Sequence, residues 1–143
     1  MVDKNMILRK MADLKTYINQ VKEYASISLD DYQSDWKIQR IVERTLQMAI
    51  EVCVDMVNHI IADRNFRIPN TYSEGFRILK ENNIISEVLC ENLVNMCKFR
   101  NVLVHEYDKV DPAVVIPILR NRLKDFDLFQ AEILGYFKKN EEQ

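Results

Sequence analysis

The residue types best suited to chemistry lie together in one short segment of the chain, residues 100–107. The segment contains a permanent cation at Arg100, a titratable imidazole at His105 and a phenol at Tyr107. Histidine is the side chain whose ordinary pKa lies near neutrality, so it can act as a general base or a general acid. The segment therefore predicts proton transfer close to a fixed positive charge.

Helical spacing does not place all of these side chains on one face. Arg100 and Tyr107 are seven residues apart and share a face, and Asn101 and His105 are four apart and stack. Arg100 and His105 are five apart, which is about 140° around a helix axis. We therefore expect these two groups to meet only if the helix ends here or if the site is a broad groove.

A symmetric dimer would remove this difficulty, because a two-fold axis places the same patch of both subunits face to face. Strand cleavage needs both a base and an acid, whereas this segment offers one histidine, His105. Two copies of His105 across the axis would supply both. The simpler alternative is structural: a histidine at a helix C-terminus interacts favourably with the helix dipole, and Arg100 and Tyr107 would cover the surface.

The remaining sequence predicts an all-α fold, an antiparallel bundle of four to five helices that dimerises. The chain has only 2 Gly and 3 Pro, too few for a many-stranded β fold. Apolar residues recur every three to four positions over residues 3–24 and 35–63, which predicts two amphipathic helices. The second has a wide apolar face and should contact more than one neighbour. Residues 28–34 are expected to form a turn with one short helical turn at most.

Capping residues mark the later helices. Thr71 and Glu74 form a capping box, in which each side chain accepts a hydrogen bond from a free backbone N–H at the helix start. Ser86 is expected to cap a fourth helix. The pair at residues 111–112, Asp-Pro, predicts the start of a last helix that runs to about residue 139, and Pro117 should kink it or delay its regular start.

Size and charge limit the kinds of function. A chain of 143 residues suits one domain, predicted over residues 1–143. The net charge is −2, from 20 basic and 22 acidic side chains, so any contact with RNA must be local. A basic cluster at Arg120, Arg122 and Lys124 is either such a contact or a solvated face.

The cysteines and the apolar runs point to a cytoplasmic protein. The chain has three cysteines, Cys53, Cys90 and Cys97. Their odd number and the lack of a C-x-x-C pair argue against a disulfide framework or a zinc site. We expect them to be small buried residues. No continuous apolar run approaches the roughly 18 residues of a membrane span. These features predict no metal, no other cofactor and no membrane association.

The pattern Arg-x4-His-x-Tyr, with Asn directly after the Arg, resembles the signature of HEPN-domain proteins of the HepT family, the toxins of HepT–MntA toxin–antitoxin systems. The match is complete at Arg100, Asn101, His105 and Tyr107. The second predicted helix is also similar to that of the family, in residues 43–44, 46–51 and 58–61.

The resemblance implies a metal-independent endoribonuclease that works as a homodimer on RNA, with tRNA as a plausible substrate. In this chemistry the ribose 2′-OH attacks the adjacent phosphorus and leaves a 2′,3′-cyclic phosphate and a 5′-OH end. His105 would transfer the proton, and Arg100 would bind the phosphate through its planar guanidinium. Asn101 would either orient His105 or cap local backbone.

The resemblance also implies a protein partner, an MntA-like nucleotidyltransferase antitoxin that adds AMP to Tyr107. An added phosphodiester beside Arg100 and His105 would imitate the substrate phosphate and block the groove. Two alternatives to the toxin remain at this point. One is a non-catalytic helical binding partner, or substrate-binding module, of a nucleotidyltransferase, and the other is a plain dimeric helical scaffold.

Several polar residues of the second helix have open roles. His59 is expected to pair with Asp55, four residues earlier, or to help shape a dimer groove. Glu43, Arg44 and Glu51 are expected to form ion pairs, within the chain or across a dimer.

Overall fold

The computed structural model describes residues 3–141, and within this part of the chain every regular element is helical. The two residues at each end of the domain predicted over 1–143 lie outside the described residues. The seven α-helices are α1 (Lys4–Lys22), α2 (Leu29–Ser34), α3 (Trp36–Asp63), α4 (Tyr72–Glu81), α5 (Glu87–His105), α6 (Pro112–Asn121) and α7 (Lys124–Glu141). A 3₁₀ turn, Tyr107–Lys109, lies between α5 and α6. The predicted all-α fold is confirmed.

The predicted helix starts are confirmed by their caps. Thr71 Oγ accepts a hydrogen bond from the Glu74 backbone N–H at 3.1 Å, and Ser86 Oγ accepts from the Leu89 N–H at 3.2 Å. Asp111 caps α6 through the Ala113 N–H. The capping box differs in one respect, because the Glu74 carboxylate accepts from the Asn70 N–H, one residue before the cap.

The described part of the chain has seven α-helices where four to five were expected, and two segments account for the difference. Residues 29–34 form α2, which is longer than the one short helical turn expected in this segment, because Ser28 caps it and Tyr32 is buried beneath it. The last helix is divided into α6 and α7, and the division falls at residues 122–123 and not at Pro117. Pro117 is exposed inside α6, where its ring costs one backbone hydrogen bond without ending the helix.

Helix α3 is the central element of the core. Its apolar side chains are buried on two sides, where it packs against α1 and against α4 and α5, as the wide apolar face predicted. It is also the one described helix long and apolar enough to match a membrane span by length and composition. Of that apolar window, 61% is buried inside the fold, which is the pattern of a core helix.

The three cysteines are free and buried, as expected. Burial raises the pKa of the Cys53 and Cys90 thiols, and it raises the pKa of Cys97 to about 11. These thiols therefore stay protonated at neutral pH and serve as small core residues.

Candidate active site

The motif lies across the end of a helix. Arg100, Asn101 and His105 belong to the last two turns of α5, and His105 is its final residue. The Glu106 N–H still bonds to the Val102 carbonyl at 2.9 Å, and the chain then turns into the 3₁₀ segment that begins with Tyr107. The helix therefore ends within the motif, which is one of the two conditions expected from the spacing.

Arg100 is held firmly by a carboxylate of the neighbouring helix. Its Nε and Nη2 both donate to Glu51 Oε1 on α3, at 3.0 and 2.9 Å. Gln47 Nε2 donates to the same oxygen at 3.1 Å. The Arg100 side chain is only 15% exposed, so this ion pair is partly shielded from solvent.

This arrangement leaves one edge of the guanidinium for a ligand. Glu51 occupies the side edge formed by Nε and Nη2, and Asn101 Oδ1 lies 3.4 Å from Nη1. The end edge between Nη1 and Nη2 retains donors in the fork geometry that matches two phosphate oxygens.

An aromatic ring supports the same guanidinium. The Arg100 Cζ lies 4.9 Å from the centroid of the Tyr72 ring, a cation–π contact. Tyr72 is the first residue of α4, and the Thr71 cap fixes its place. Arg100 on α5 is thus oriented by α3 and α4 together.

Arg100 and Asn101 line a cavity of about 380 Å³ between these helices. Its other lining residues come from α3, the α3–α4 loop and the start of α4: Asn58, Pro69, Asn70, Thr71, Tyr72 and Ser73. His105 and Tyr107 are exposed at the end of α5 and are not among the described residues that line it. Within the described part of the chain, His105 therefore does not line the cavity that Arg100 lines.

Sequence reasoning missed most of this cavity. Tyr72, Asn58, Asn70 and Ser73 belong to no motif that the spacing revealed, although Asn58 lies in a segment similar to the HepT family. The Thr71 cap was the available signal, since it fixes where α4 begins. The ion pair expected of Glu51 is confirmed within the chain. The partner of Glu51 is Arg100, which lies 49 residues further along the sequence.

Two acidic residues of α3, Asp55 and Glu43, have partners outside the site. Asp55 Oδ2 accepts from Lys10 Nζ on α1 at 3.3 Å instead of pairing with His59, which is exposed. Glu43 lies 3.7 Å from Arg40, one turn earlier.

The basic cluster of α6 and α7 is exposed and partly engaged in the fold. Arg120 Nη2 donates to the Ile27 carbonyl at 3.2 Å, and Arg122 lies 3.8 Å from the buried carboxylate of Asp125. Within the part of the chain that the structure describes, no group of three or more His, Cys, Asp or Glu residues is placed to hold a metal ion.

Comparison with known proteins matches residues 14–133 to a family model described as ribonuclease HepT-like. The chain belongs to this family. It is 31% identical over 126 residues to an mRNA nuclease HepT from Shewanella oneidensis, covering 87% of this chain and 93% of that protein. It is 32% identical over 127 residues to a tRNA nuclease HepT from Aphanizomenon flos-aquae, covering 89% of this chain and 86% of that protein. The resemblance seen in the motif is confirmed.

A solved structure of the family supports the fold assignment. A tri-AMPylated HEPN toxin from Shewanella oneidensis, in complex with an MNT antitoxin, superposes with a TM-score of 0.85. It is 30% identical in sequence and covers 94% of this chain and 99% of that one. The HepT-like chain described here therefore has a HEPN fold over nearly all its length.

Proposed function

We propose that this HepT-like chain is the toxin of a toxin–antitoxin pair, a metal-independent endoribonuclease whose substrates include tRNA or mRNA. The observation that carries the proposal is the motif at the end of α5, where Glu51 leaves the end edge of the Arg100 guanidinium available and His105, five residues further on, is exposed. The names of the relatives, two of them nucleases of RNA, support the same activity.

The proposed reaction uses a nucleophile that belongs to the substrate. The ribose 2′-OH attacks the adjacent phosphorus while one His105 accepts its proton. The bond from phosphorus to the 5′ oxygen breaks, and a second acid returns a proton to that oxygen. The products are a 2′,3′-cyclic phosphate and a 5′-OH end. Positioned proton transfer of this kind contributes about 10²–10⁴-fold to the rate.

Arg100 would stabilise the charge that develops on the phosphorane. Its end edge can donate to two non-bridging oxygens while Glu51 holds the side edge. Loss of one such electrostatic donor typically costs about 10²–10³-fold. Asn101 would assist by holding Nη1 in place, since its Oδ1 lies beside that nitrogen.

A homodimer would complete the site. His105 lies five residues beyond Arg100, about 7.5 Å further along the axis of α5, and outside the Arg100 cavity. A two-fold axis near the end of α5 would bring together two copies of His105, one as base and one as acid. We expect a solution mass of two 17.0 kDa chains, and a monomer that cleaves RNA at the full rate would refute this part of the proposal.

The catalytic proposal is tested by expressing the chain alone in a bacterial host. We expect growth arrest together with cleaved cellular RNA, and both should disappear in His105→Ala. The chain has only one other histidine, His59, which is exposed on α3, so His59→Ala is a matched control that should remain toxic. Growth arrest that persists in His105→Ala would contradict the assignment, and a non-toxic wild-type chain would favour a non-catalytic binding partner.

We further propose that a nucleotidyltransferase antitoxin neutralises the protein by adding AMP to Tyr107. Tyr107 is 66% exposed in the 3₁₀ turn that follows α5, where a modifying enzyme can reach its hydroxyl. In the reaction the phenol oxygen attacks the α-phosphorus of ATP and pyrophosphate leaves. The added phosphodiester is anionic and would occupy the place of the RNA phosphate.

Removal of the Tyr107 hydroxyl should separate toxicity from neutralisation. We expect Tyr107→Phe to cleave RNA and to arrest growth even when an active antitoxin is co-expressed. Tyr24→Phe, on a half-buried tyrosine near α1, is the control and should be neutralised like the wild type. The mass of the co-expressed protein provides the direct readout, and unchanged AMP addition in Tyr107→Phe would argue against this site.

The proposed activity belongs to the cytoplasm, where both the RNA substrates and the ATP for the antitoxin are present.

A further inference from the structure

We propose that the cavity beside Arg100 is a nucleotide subsite, in which Tyr72 stacks on one base of the RNA next to the phosphate held by Arg100. The inference rests on the proposed ribonuclease function and assigns the part of the substrate that lies outside the reacting bonds. It adds a base-binding role for Tyr72, Asn58 and Asn70, which lie outside the Arg-x4-His-x-Tyr motif.

The size and lining of the cavity fit a nucleotide. Its volume of about 380 Å³ lies in the range of small-molecule sites, about 300–1,000 Å³. Seven of its eight lining residues have polar side chains, Pro69 being the exception, and none of the eight is a carboxylate. Glu51, the acid that contacts Arg100, is already engaged by that guanidinium. The cavity is therefore suited to a ligand that is polar and anionic.

The three classes of nucleotide contact are present together. Arg100 offers two donors to a phosphate, and Tyr72 offers an aromatic ring on which a base can stack. Asn58 and Asn70 carry amides that both donate and accept hydrogen bonds, as the edges of bases require. An apolar peptide or a lipid would leave these polar groups without partners, so a nucleotide is the better occupant.

Tyr72 is held ready for stacking. It keeps 41% of its surface exposed although Arg100 contacts its ring at 4.9 Å. The backbone around it is fixed by the Thr71 cap and by Glu74, which accepts from the Asn70 N–H and pairs with Arg67. A ring that is already ordered loses little conformational entropy when a base stacks on it.

The test measures RNA binding without cleavage. The protein carries His105→Ala, and the probe is a fluorescent single-stranded RNA hexamer with 2′-O-methyl riboses at fixed salt. We expect Tyr72→Ala to raise the Kd about 5- to 150-fold, which corresponds to the cost of removing the aromatic partner of one stacked base. Tyr72→Phe, which keeps the ring, should stay within about twofold of the parent.

A second probe separates stacking from the support that Tyr72 gives to Arg100. Hexamers with one abasic position keep every phosphate but lack one base. When the abasic position is the one that occupies the cavity, Tyr72→Ala should no longer raise the Kd, because the base that would stack on the Tyr72 ring is absent. If the effect is equally large at every abasic position, the ring acts only through Arg100 and the subsite is refuted.

A remote aromatic residue serves as the matched control. Trp36 is 65% exposed at the start of α3, 22 residues before Asn58 and so about 33 Å away along the helix. Trp36→Ala should leave the Kd unchanged. An unchanged Kd in Tyr72→Ala overturns the subsite even if the wild-type chain cleaves RNA. Tyr72-dependent binding by a chain that never cleaves RNA would support the subsite and overturn the ribonuclease.

Discussion

At the scale of single residues, the site depends on the orientation of one guanidinium. Arg100 is oriented by Glu51 through its side edge and by Tyr72 through its face. A free arginine side chain has several rotatable bonds, so fixing it before the substrate arrives reduces the entropy lost in the transition state. We therefore propose Glu51 as a positioning residue, which would act on the phosphate only through Arg100.

The substitution Glu51→Gln should lower kcat without raising KM. The new amide would still accept a hydrogen bond from Arg100, but it would lack the charge that strengthens the pair, and we expect a loss of about 10- to 100-fold in kcat. The substitution also removes a negative charge near the RNA phosphate, so KM should stay level or fall.

The control is Glu43→Gln, two helical turns earlier on α3, where the carboxylate lies near Arg40 and not in the site. Its kcat should match that of the wild type. A rise in KM at constant kcat in Glu51→Gln would show that Glu51 acts in ground-state binding alone.

The residues of the motif could be predicted from sequence, whereas their partners could not. Arg100, Asn101, His105 and Tyr107 lie within eight positions, and their types and their resemblance to the HepT signature single them out. Glu51 lies 49 residues before Arg100, and only the packing of α3 on α5 brings the two together. No local pattern in the sequence carries that information.

At the scale of elements, the start of α4 is a small charged assembly that holds Tyr72 in place. Arg67 in the α3–α4 loop pairs with Glu74, and its Nη2 lies 2.7 Å from Glu81 Oε1. Two hydrogen bonds hold the pKa of Glu74 below its ordinary value, the larger effect coming from the Asn70 backbone N–H and the smaller from Arg67. Arg67 also lowers the pKa of Glu81.

These lowered pKa values predict a loss of stability in acid. A carboxyl group whose pKa is lower in the folded state stabilises the fold at neutral pH, and that stabilisation is lost as the pH falls through the folded pKa, here below the ordinary 4.5. We expect the Tm of the wild type to fall more steeply between neutral pH and acid than that of a Glu74→Gln, Glu81→Gln double variant.

The measurement is thermal unfolding followed by circular dichroism across that pH range. Glu91→Gln, on an exposed residue of α5, serves as the control and should follow the wild type. Parallel curves for the wild type and the double variant would show that Glu74 and Glu81 contribute nothing to the acid transition.

Element boundaries were predictable where a side chain caps a helix. Thr71, Ser86 and Asp111 each accept a backbone hydrogen bond at the position expected from sequence. The division between α6 and α7 carries no such signal. It falls at residues 122–123, and Leu123 and Phe126 are both buried there. The position of the break is therefore set by tertiary packing and not by a local capping residue.

At the scale of the whole molecule, charge and fold agree with a local site. The net charge of −2 gives no general attraction to RNA, so we expect affinity to come from local groups, among them Arg100 and the polar cavity beside it. The all-α core followed from the apolar periodicity, because α3 has a face wide enough to pack against helices on both sides. The proposed pairing of two subunits leaves no trace in the periodicity of one chain.

The proposed function depends on cleavage of RNA by His105 and Arg100 through attack of the 2′-OH. The most direct test is the chemistry of the RNA ends made by the purified protein in the presence of EDTA, compared with its His105→Ala variant. We expect 2′,3′-cyclic phosphate and 5′-OH ends at an undiminished rate in the wild type and none in the variant. Ends with a 3′-OH and a 5′-phosphate, or cleavage that EDTA abolishes, would contradict it.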